Sequence, residues 1–572
     1  MLTSSRPRMY QGKNMDKIRI VCLGGLDEFY KSCTVVEINN DIFVIECGLK
    51  FPDITKPGID YVIPRTDYLV ENKDRIKAYF LTFGHDSVIG GLPYVIKKAP
   101  APVYCSDITK AFLEMFARHN RLDISNIDIK VVDTNADLNI AGHNIHLFST
   151  CSNIANSFGL CLESDQGNIV YIGNNVFDNN KDIGFGLNLR RIAEITAKQQ
   201  TLVMLQDSIY ADRAGYTNPN YRIMPGFSKM VKDAQGRILL ALEAFDVYNI
   251  IASLKEAVRL GRKIIAFDES SQDIIDVLIN TKCLDLSPKA FLGMGEVNRA
   301  RASEVLIILL SFGPKLFHKL SLIASHLNDD QIFRLGPDDT VIIGSHAENS
   351  AEIAETNALN ELYKAGAKIH AISAKTFIKM HSSEEDLKTA ISVFNPRYYI
   401  PIIGTLVKLF SNARVALNMK NNLNHNSVFV LDNGMVVEFE NYMAKILPNK
   451  LIVGNVYVDG KGVGDIDAKS LVERQQFSDD GVIILAATIS KAKREIVLGP
   501  DIQTRGLIFV KENDALIREI EKIFLLNIRQ ELSKTNYSLS YMELAIKEQV
   551  FKAIRRAILK SPSIIPIIVE ID

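Results

Sequence analysis

Short apolar runs rich in β-branched residues, separated by polar turns at hairpin distance, begin at Lys17. Residues 18–23, 34–38 and 42–45 read as strands, with Asn39-Asn40-Asp41 as the turn between the last two. The pattern predicts an antiparallel sheet at the start, then strands over 78–82, 129–132, 145–148, 159–163 and 169–172 and a helix over Asp107–His119. Strands interspersed with a few helices suggest stacked sheets flanked by helices. Between about residues 214 and 370 the rhythm becomes strand then helix: 238–242 with 246–260, 263–266 with 272–280, then strands over 304–310 and 340–343 and a helix over 352–365 that ends at Gly366. That alternation predicts a separate α/β domain with a parallel sheet and crossover helices.

Short strands return at 400–402 and 428–431. A Gly-rich segment, 447–464, containing Asp459-Gly460-Lys461-Gly462, reads as a connector. A small α+β unit is expected beyond it, with strands over 482–486, 507–510 and 564–571 and helices over 514–533 and 541–560. In the last helix Leu544, Val550, Phe551, Ile554 and Ile558 keep near-helical spacing, and Lys547, Lys552, Arg555, Arg556 and Lys560 read as a solvated face rather than an RNA-binding one.

A chain of 572 residues implies about three or four domains at roughly 100–200 residues each. The 66 Lys and Arg nearly cancel the 67 Asp and Glu, so bulk charge does not announce a nucleic-acid partner, although a local basic groove is compatible with it. The seven cysteines include no C-x-x-C pair and sit mostly in apolar runs, as reduced packing residues of a cytoplasmic protein do. No apolar stretch approaches the roughly 18 residues of a membrane span, and none follows the polar first 16 residues, which are expected to be a disordered extension with Met1 and Met15 both open as the start.

Several local motifs, in order along the chain, carry a family resemblance. They are Gly24-Gly25-Leu26-Asp27-Glu28, Ile45-Glu46-Cys47-Gly48-Leu49-Lys50-Phe51-Pro52, Gly58-Ile59-Asp60-Tyr61-Val62-Ile63-Pro64, Gly454-Asn455-Val456-Tyr457-Val458-Asp459-Gly460, and Gly499-Pro500-Asp501-Ile502-Gln503-Thr504-Arg505-Gly506. By these the chain resembles the ribonuclease J family over essentially everything after residue 17. The resemblance implies a metallo-β-lactamase αββα sandwich with an inserted β-CASP α/β domain and a small α+β C-terminal domain. The corresponding boundaries are an extension over 1–16, the sandwich over 17–213 and 371–446, the insertion over 214–370, a linker over 447–464 and the C-terminal domain over 465–572.

The resemblance also implies bacterial RNA degradation, 5′ to 3′ from a monophosphorylated end and endonucleolytically, with two zinc ions. Ions about 3.5–4 Å apart would supply the in-line hydroxide and stabilise the leaving oxygen. The family's H-x-H-x-D-H loop matches Phe83-Gly84-His85-Asp86-Ser87-Val88, which keeps only His85 as a ligand and puts Phe83, Ser87 and Val88 in place of the others. Ser152 stands where the family has its next His, Asn174 where it has the bridging Asp, and Ile403 where it has the final His. Phe, Val and Ile offer no donor, and Asn lacks the charge of a bridging carboxylate. No cofactor is therefore expected.

Glu46 replaces an orienting Asp. The β-CASP motifs keep Asp207, which in the family supports the metal-site histidines, and His381, which contacts the scissile phosphate, while Phe377 replaces a His. From the residues alone, Asp207 reads equally as a strand-end carboxylate and His381 as a loop His before a capping segment; Asp86 with the cluster His346, Glu348 and Glu352 could mark a displaced site, but Asp86 reads rather as the cap of a helix near Ile89, and Glu348 and Glu352 as a solvated first turn. His143 and His146 read as sheet residues facing opposite sides.

The leading expectation is a metal-free, non-catalytic subunit of RNA processing and decay, with His381 and Asp207 vestigial, that pairs with an active ribonuclease J paralogue as a homo- or hetero-oligomer and binds RNA. The alternatives are a weakly active exo- or endoribonuclease that uses one metal or a rearranged site built from His85, Asp86, Asp207 and His381, and a stand-alone RNA-binding or sensor protein.

Overall fold

The structure, a computed structural model, describes residues 15–572 apart from 53–55, 179–181, 183, 218–223, 328–332, 347–350, 373–379, 420–421, 461, 465–467 and 508–513. Phe377, Glu348 and the end of the strand expected over 507–510 lie outside the described residues. The chain divides into two compact units, one built from the segment up to Lys50 with Ile63–Asn455, the other from Phe51–Val62 with Val456–Asp572.

In the first unit the opening runs form Ile18–Gly24, Cys33–Ile38 and Asp41–Ile45, paired antiparallel in that order. They centre an eight-stranded sheet completed by Val436–Glu440 and Met443–Ile446 on one side and by Ile76–Leu81, Val103–Cys105 and Ile129–Val131 on the other. A six-stranded sheet runs Tyr398–Ile402, Thr201–Asp207, Asn168–Ile172, Phe158–Leu162, His143–Ser149, Asp137–Ile140. Side chains alternate between faces along a strand, so each run feeds two cores. Ile20, Val36, Phe43 and Phe80 meet Leu147, Leu160, Tyr171 and Leu205 between the sheets.

On the outer face of the larger sheet, Val21, Val35 and Val44 pack with Phe112 and Leu113 of the helix Asp107–His119. Outside the smaller sheet, Phe148, Val170 and Met204 pack with Ile192, Ile391 and Ala416 of the helices Leu189–Lys198, Glu384–Phe394 and Leu406–Asn418. Helix, sheet, sheet, helix is the sandwich that the resemblance implies.

Between the strands Thr201–Asp207 and Tyr398–Ile402, which pair directly and in parallel, the chain inserts an all-parallel five-stranded sheet. Its order is Lys263–Ala266, Val305–Ser311, Ile238–Glu243, Thr340–Ile343, Lys368–Ala371. Helices cover both faces, which is why the central runs are apolar without alternation. Leu240 and Ile308 point to one core, Leu239 and Ile307 to the other.

Residues 428–431 make no ladder: Val428 bridges Tyr399 alone, and the Phe429 N–H donates to the Tyr399 carbonyl at 2.9 Å. His143 reaches Asp41 at 3.0 Å, and His146 lies between Asp137 and Glu163, so both are structural sheet residues.

The second unit holds a sheet in the order Glu495–Arg505, Val482–Ser490, Ser563–Ile571, covered on one face by the helices Asp514–Leu532 and Leu539–Ile558. The buried stripe of the last helix is Met542, Ile546, Val550 and Ile554, whereas Leu544, expected within it, is 53% exposed. Lys547, Lys552, Arg555, Arg556 and Lys560 are all exposed. In the segment read as a connector, Val458 and Asp459 pair antiparallel with Val463 and Gly462, and the Asp60 N–H donates to the Val458 carbonyl at 2.9 Å. Among the described residues no helix is long and apolar enough to cross a membrane.

Candidate functional site

The ends of several strands of the first unit converge on one cavity of about 300 Å³, lined among others by Glu46, Phe83, His85, Ser87, Val88, Asn174, Asp207, His381 and Ile403. Six of the seven positions matched to the family's ligands therefore line one cavity, Ser152 being the exception.

Ser152 is fully buried and committed locally: its Oγ donates to the Ile154 carbonyl at 2.9 Å and lies 2.8 Å from Ser157 Oγ. His85 precedes the short helix Asp86–Ile89 and caps it, with Nδ1 accepting from the Ser87 N–H at 3.1 Å. The cap is thus His85 and not Asp86. Asp86 is buried in the first turn, where desolvation raises its carboxyl to about 7, with Lys315 opposing the rise and Glu243 adding to it.

Asp207 ends its strand, with Oδ1 accepting from the Ile209 N–H at 3.0 Å and Oδ2 from His381 Nδ1 at 2.5 Å. With Nδ1–H given to Asp207, a neutral His381 presents Nε2 as an acceptor, and Asn174 Nδ2 stands 3.3 Å from it. Among the described residues Asn174 Oδ1 then has no hydrogen-bond partner, in a side chain only 6% exposed. Glu46 sits below at φ 66°, accepting from Thr82 Oγ at 2.7 Å. Burial raises its carboxyl to about 7, and the hydroxyls of Thr82, Tyr171 and Ser32 oppose that rise.

Ile403 has φ 55°, a left-handed conformation that β-branched residues avoid and that costs about 1–3 kcal/mol. It is held there from three sides: the Ser208 N–H donates to its carbonyl (3.1 Å), the Gly404 N–H to Gly25 (3.2 Å), and the Glu28 N–H to Gly404 (3.2 Å).

These residues do not fit two zinc ions. Phe83, Val88 and Ile403 offer hydrocarbon, Ser152 is already satisfied, and His85 uses one ring nitrogen as a cap. Among the described residues, no group of three or more His, Cys, Asp or Glu is placed to hold a metal. Glu352 lines the cavity, while His346 instead pairs with Glu355 at 2.9 Å.

The rest of the wall escapes a reading of motifs. Tyr30 stacks on His85 (centroids 5.8 Å apart, 18° between planes), and Phe245 lies 4.3 Å from the same ring. Across the cavity Tyr210 meets His381 edge-on at 5.4 Å and carries the Arg213 guanidinium 3.5 Å above its ring. Phe245 follows the C-terminal end of the strand Ile238–Glu243, where ligand sites of parallel sheets gather, and that position is the one signal that points to it.

Family models match the chain in two places, that of the ribonuclease J C-terminal domain over residues 469–571 and that of the ribonuclease J beta-CASP domain over residues 235–362. Ribonuclease J 2 of Staphylococcus aureus is 31% identical over 563 residues, 98% of this chain and 99% of the relative. Ribonuclease J 2 of Staphylococcus saprophyticus is 30% identical over the same shares. Among solved structures, a protein of unknown function from Enterococcus faecalis aligns with a TM-score of 0.50 at 11% identity, over 74% of this chain and all of that one, a likeness of fold alone.

Proposed function

The chain belongs to the ribonuclease J family, which acts in RNA processing and decay, and within that family we propose that it is a subunit without a metal centre of its own. In this reading it assembles with an active ribonuclease J paralogue in the cytoplasm, binds RNA, and stabilises its partner. The supporting observation is the donor chemistry of the seven matched positions: His85 alone is a zinc ligand by type, and the buried Phe83, Val88 and Ile403 fill the space with hydrocarbon. Each lost ligand outweighs a defect in an outer-shell partner, which already lowers metal affinity or activity about 10–100-fold.

The full chain, exposed to zinc or manganese and repurified, should carry well under one metal ion per chain and hydrolyse 5′-monophosphorylated RNA no faster than a control, and it should co-sediment with an active ribonuclease J. Stoichiometric zinc, with turnover abolished by His85→Ala, would overturn this in favour of a weakly active enzyme with a rearranged site. The contact between Asp207 and His381 is the observation that favours that second reading.

A further inference from the structure

We propose that the groove beside the helix Leu406–Asn418 docks an amphipathic helix of a partner protein, one with apolar anchors on one face and carboxylates on its flanks. This goes beyond the reading above, and the groove shares no lining residue with the cavity at the strand ends.

The helix Leu406–Asn418 is apolar on two sides. Leu409 and Ala416 are fully buried and pack with residues of the smaller sheet. Val407 and Phe410 face away from that packing, 70% and 58% exposed, with Leu406 partly exposed beside them. A helix apolar on more than one side is ordinarily covered on each of them, and apolar side chains clustered in solvent mark an interaction surface. Phe410 lies three residues after Val407 and Leu417 seven after Phe410, so the three share one stripe. Val428 and Val430 form the wall opposite, and the groove between has a volume of about 1020 Å³, enough for several side chains.

The backbone of that wall excludes a strand as the occupant. The Val428 N–H donates to the Asn424 carbonyl at 3.1 Å and the Phe429 N–H to the Tyr399 carbonyl at 2.9 Å, so two successive donors are already committed. An added strand is held by main-chain hydrogen bonds to a free edge. A helix satisfies its own backbone and needs only an apolar groove for anchors at i, i+3, i+4 and i+7.

Charge selects which helix. Lys and Arg balance Asp and Glu over the whole chain, yet among the described residues no Asp or Glu lines this groove, and Arg414 and His425 both stand exposed at it. Carboxylates flanking the partner's apolar face complement them, which steers encounter and fixes orientation. One Arg and one His over hydrocarbon do not make a track for a phosphate backbone, which proteins neutralise with several Lys and Arg.

The test is selection of a displayed library of random peptides of about 14 residues, an ordinary helix length, on the full chain with counter-selection on Phe410→Asp. Enriched peptides, labelled with fluorescein, are then titrated with the full chain and read by anisotropy. They should place apolar residues at helical spacing, carry more Asp and Glu than Lys and Arg, and gain helical circular dichroism on binding. Phe410→Ala should weaken them roughly 30-fold, as loss of a central anchor does, and Val407→Ser on the same stripe should weaken them as well. Arg414→Glu should cost roughly 5-fold, a difference that fades at high salt. All three positions are exposed, so the fold carries the changes.

The inference is overturned if counter-selection leaves no peptide specific for the parent, if the enriched peptides are basic or bind without gaining helix, or if Phe410→Ala and Val407→Ser leave the affinity unchanged. It is overturned equally if the free chain self-associates in sedimentation velocity and Phe410→Asp makes it monomeric, because a second copy of the chain then covers this face.

Discussion

Replacing Glu46 by Gln should stabilise the first unit more and more as the pH rises. Glu46 is fully buried, and burial lifts its carboxyl from 4.5 to about 7, with Thr82, Tyr171 and Ser32 opposing the rise and Asp207 adding to it. The folded state therefore holds this proton more tightly than the unfolded chain. Stability is fully present below the unfolded value, falls as the pH rises through about 7, and is level beyond. A rise from 4.5 to about 7 corresponds to about 3 kcal/mol at 1.36 kcal/mol per pKa unit. By linkage, about 2 kcal/mol of that falls between roughly pH 5.5 and 8.

Gln keeps the shape and an acceptor for Thr82 but cannot ionise. The difference between variant and parent removes the contribution of Asp86, which titrates in the same range in both proteins. Urea unfolding of the full chain, followed by circular dichroism at the two pH values, should show the variant gaining about 2 kcal/mol on the parent from the lower to the higher pH. A difference that does not move with pH would mean that Glu46 ionises as it does in water, and the burial argument would fail.

Glu438 should show the opposite sign. Burial would raise its carboxyl, but Lys445, Lys17 and Arg19, at 2.9, 3.0 and 2.8 Å, bring it down to about 2. Its contribution is present above the unfolded value near 4.5 and lost as the pH falls through about 2, so Glu438→Gln should cost about 1–2 kcal/mol at neutral pH and progressively less in acid, read by thermal melting. Arg262, 4% exposed, donates to the carbonyls of Gly236 (2.8 Å), Ala234 (2.7 Å) and Val231 (3.2 Å), and Arg262→Met should lower stability by about 3 kcal/mol or more, seen as a lower urea midpoint. Restoring donors through Phe83→His, Ser87→Asp, Val88→His, Ser152→His, Asn174→Asp and Ile403→His together should create zinc binding measurable by calorimetry. Because Phe83, Val88 and Ile403 are buried, the apo variant should melt early, at about 1–3 kcal/mol per unpaired donor, and recover with zinc. A folded variant that binds no zinc would show that these positions do not converge as the family's do.

Much of the fold is legible in local pattern. The helix Asp107–His119 and the strands Lys263–Ala266 and Thr340–Ile343 stand at the predicted bounds, because each carries its own periodicity and its own turn residues. Two elements of the second unit are not legible. The helix Ala468–Asp480 has few apolar residues, and the strand Glu495–Arg505 puts Val497 and Leu498 in solvent and carries Gly499-Pro500 in its middle, which reads as a break. Residues 428–431 mislead in the other direction: Leu431 is buried by tertiary packing without any ladder to make the segment a strand.

The candidate site divides in the same way. Which donors are missing is a matter of side-chain type, and Phe83, Val88 and Ile403 declare it in the sequence alone, since no arrangement in space makes hydrocarbon a ligand. What occupies the vacated chemistry is not written locally. Tyr30 stacks on His85 and Phe245 tilts against the same ring although they are 55 and 160 residues away from it, and Asn174 meets His381 only because Asp207, 33 residues on, holds the other side of that ring. Periodicity reports which face of an element is apolar, but a cavity is made by the ends of elements distant in the chain, and only their packing decides which rings and which unsatisfied atom come to share it.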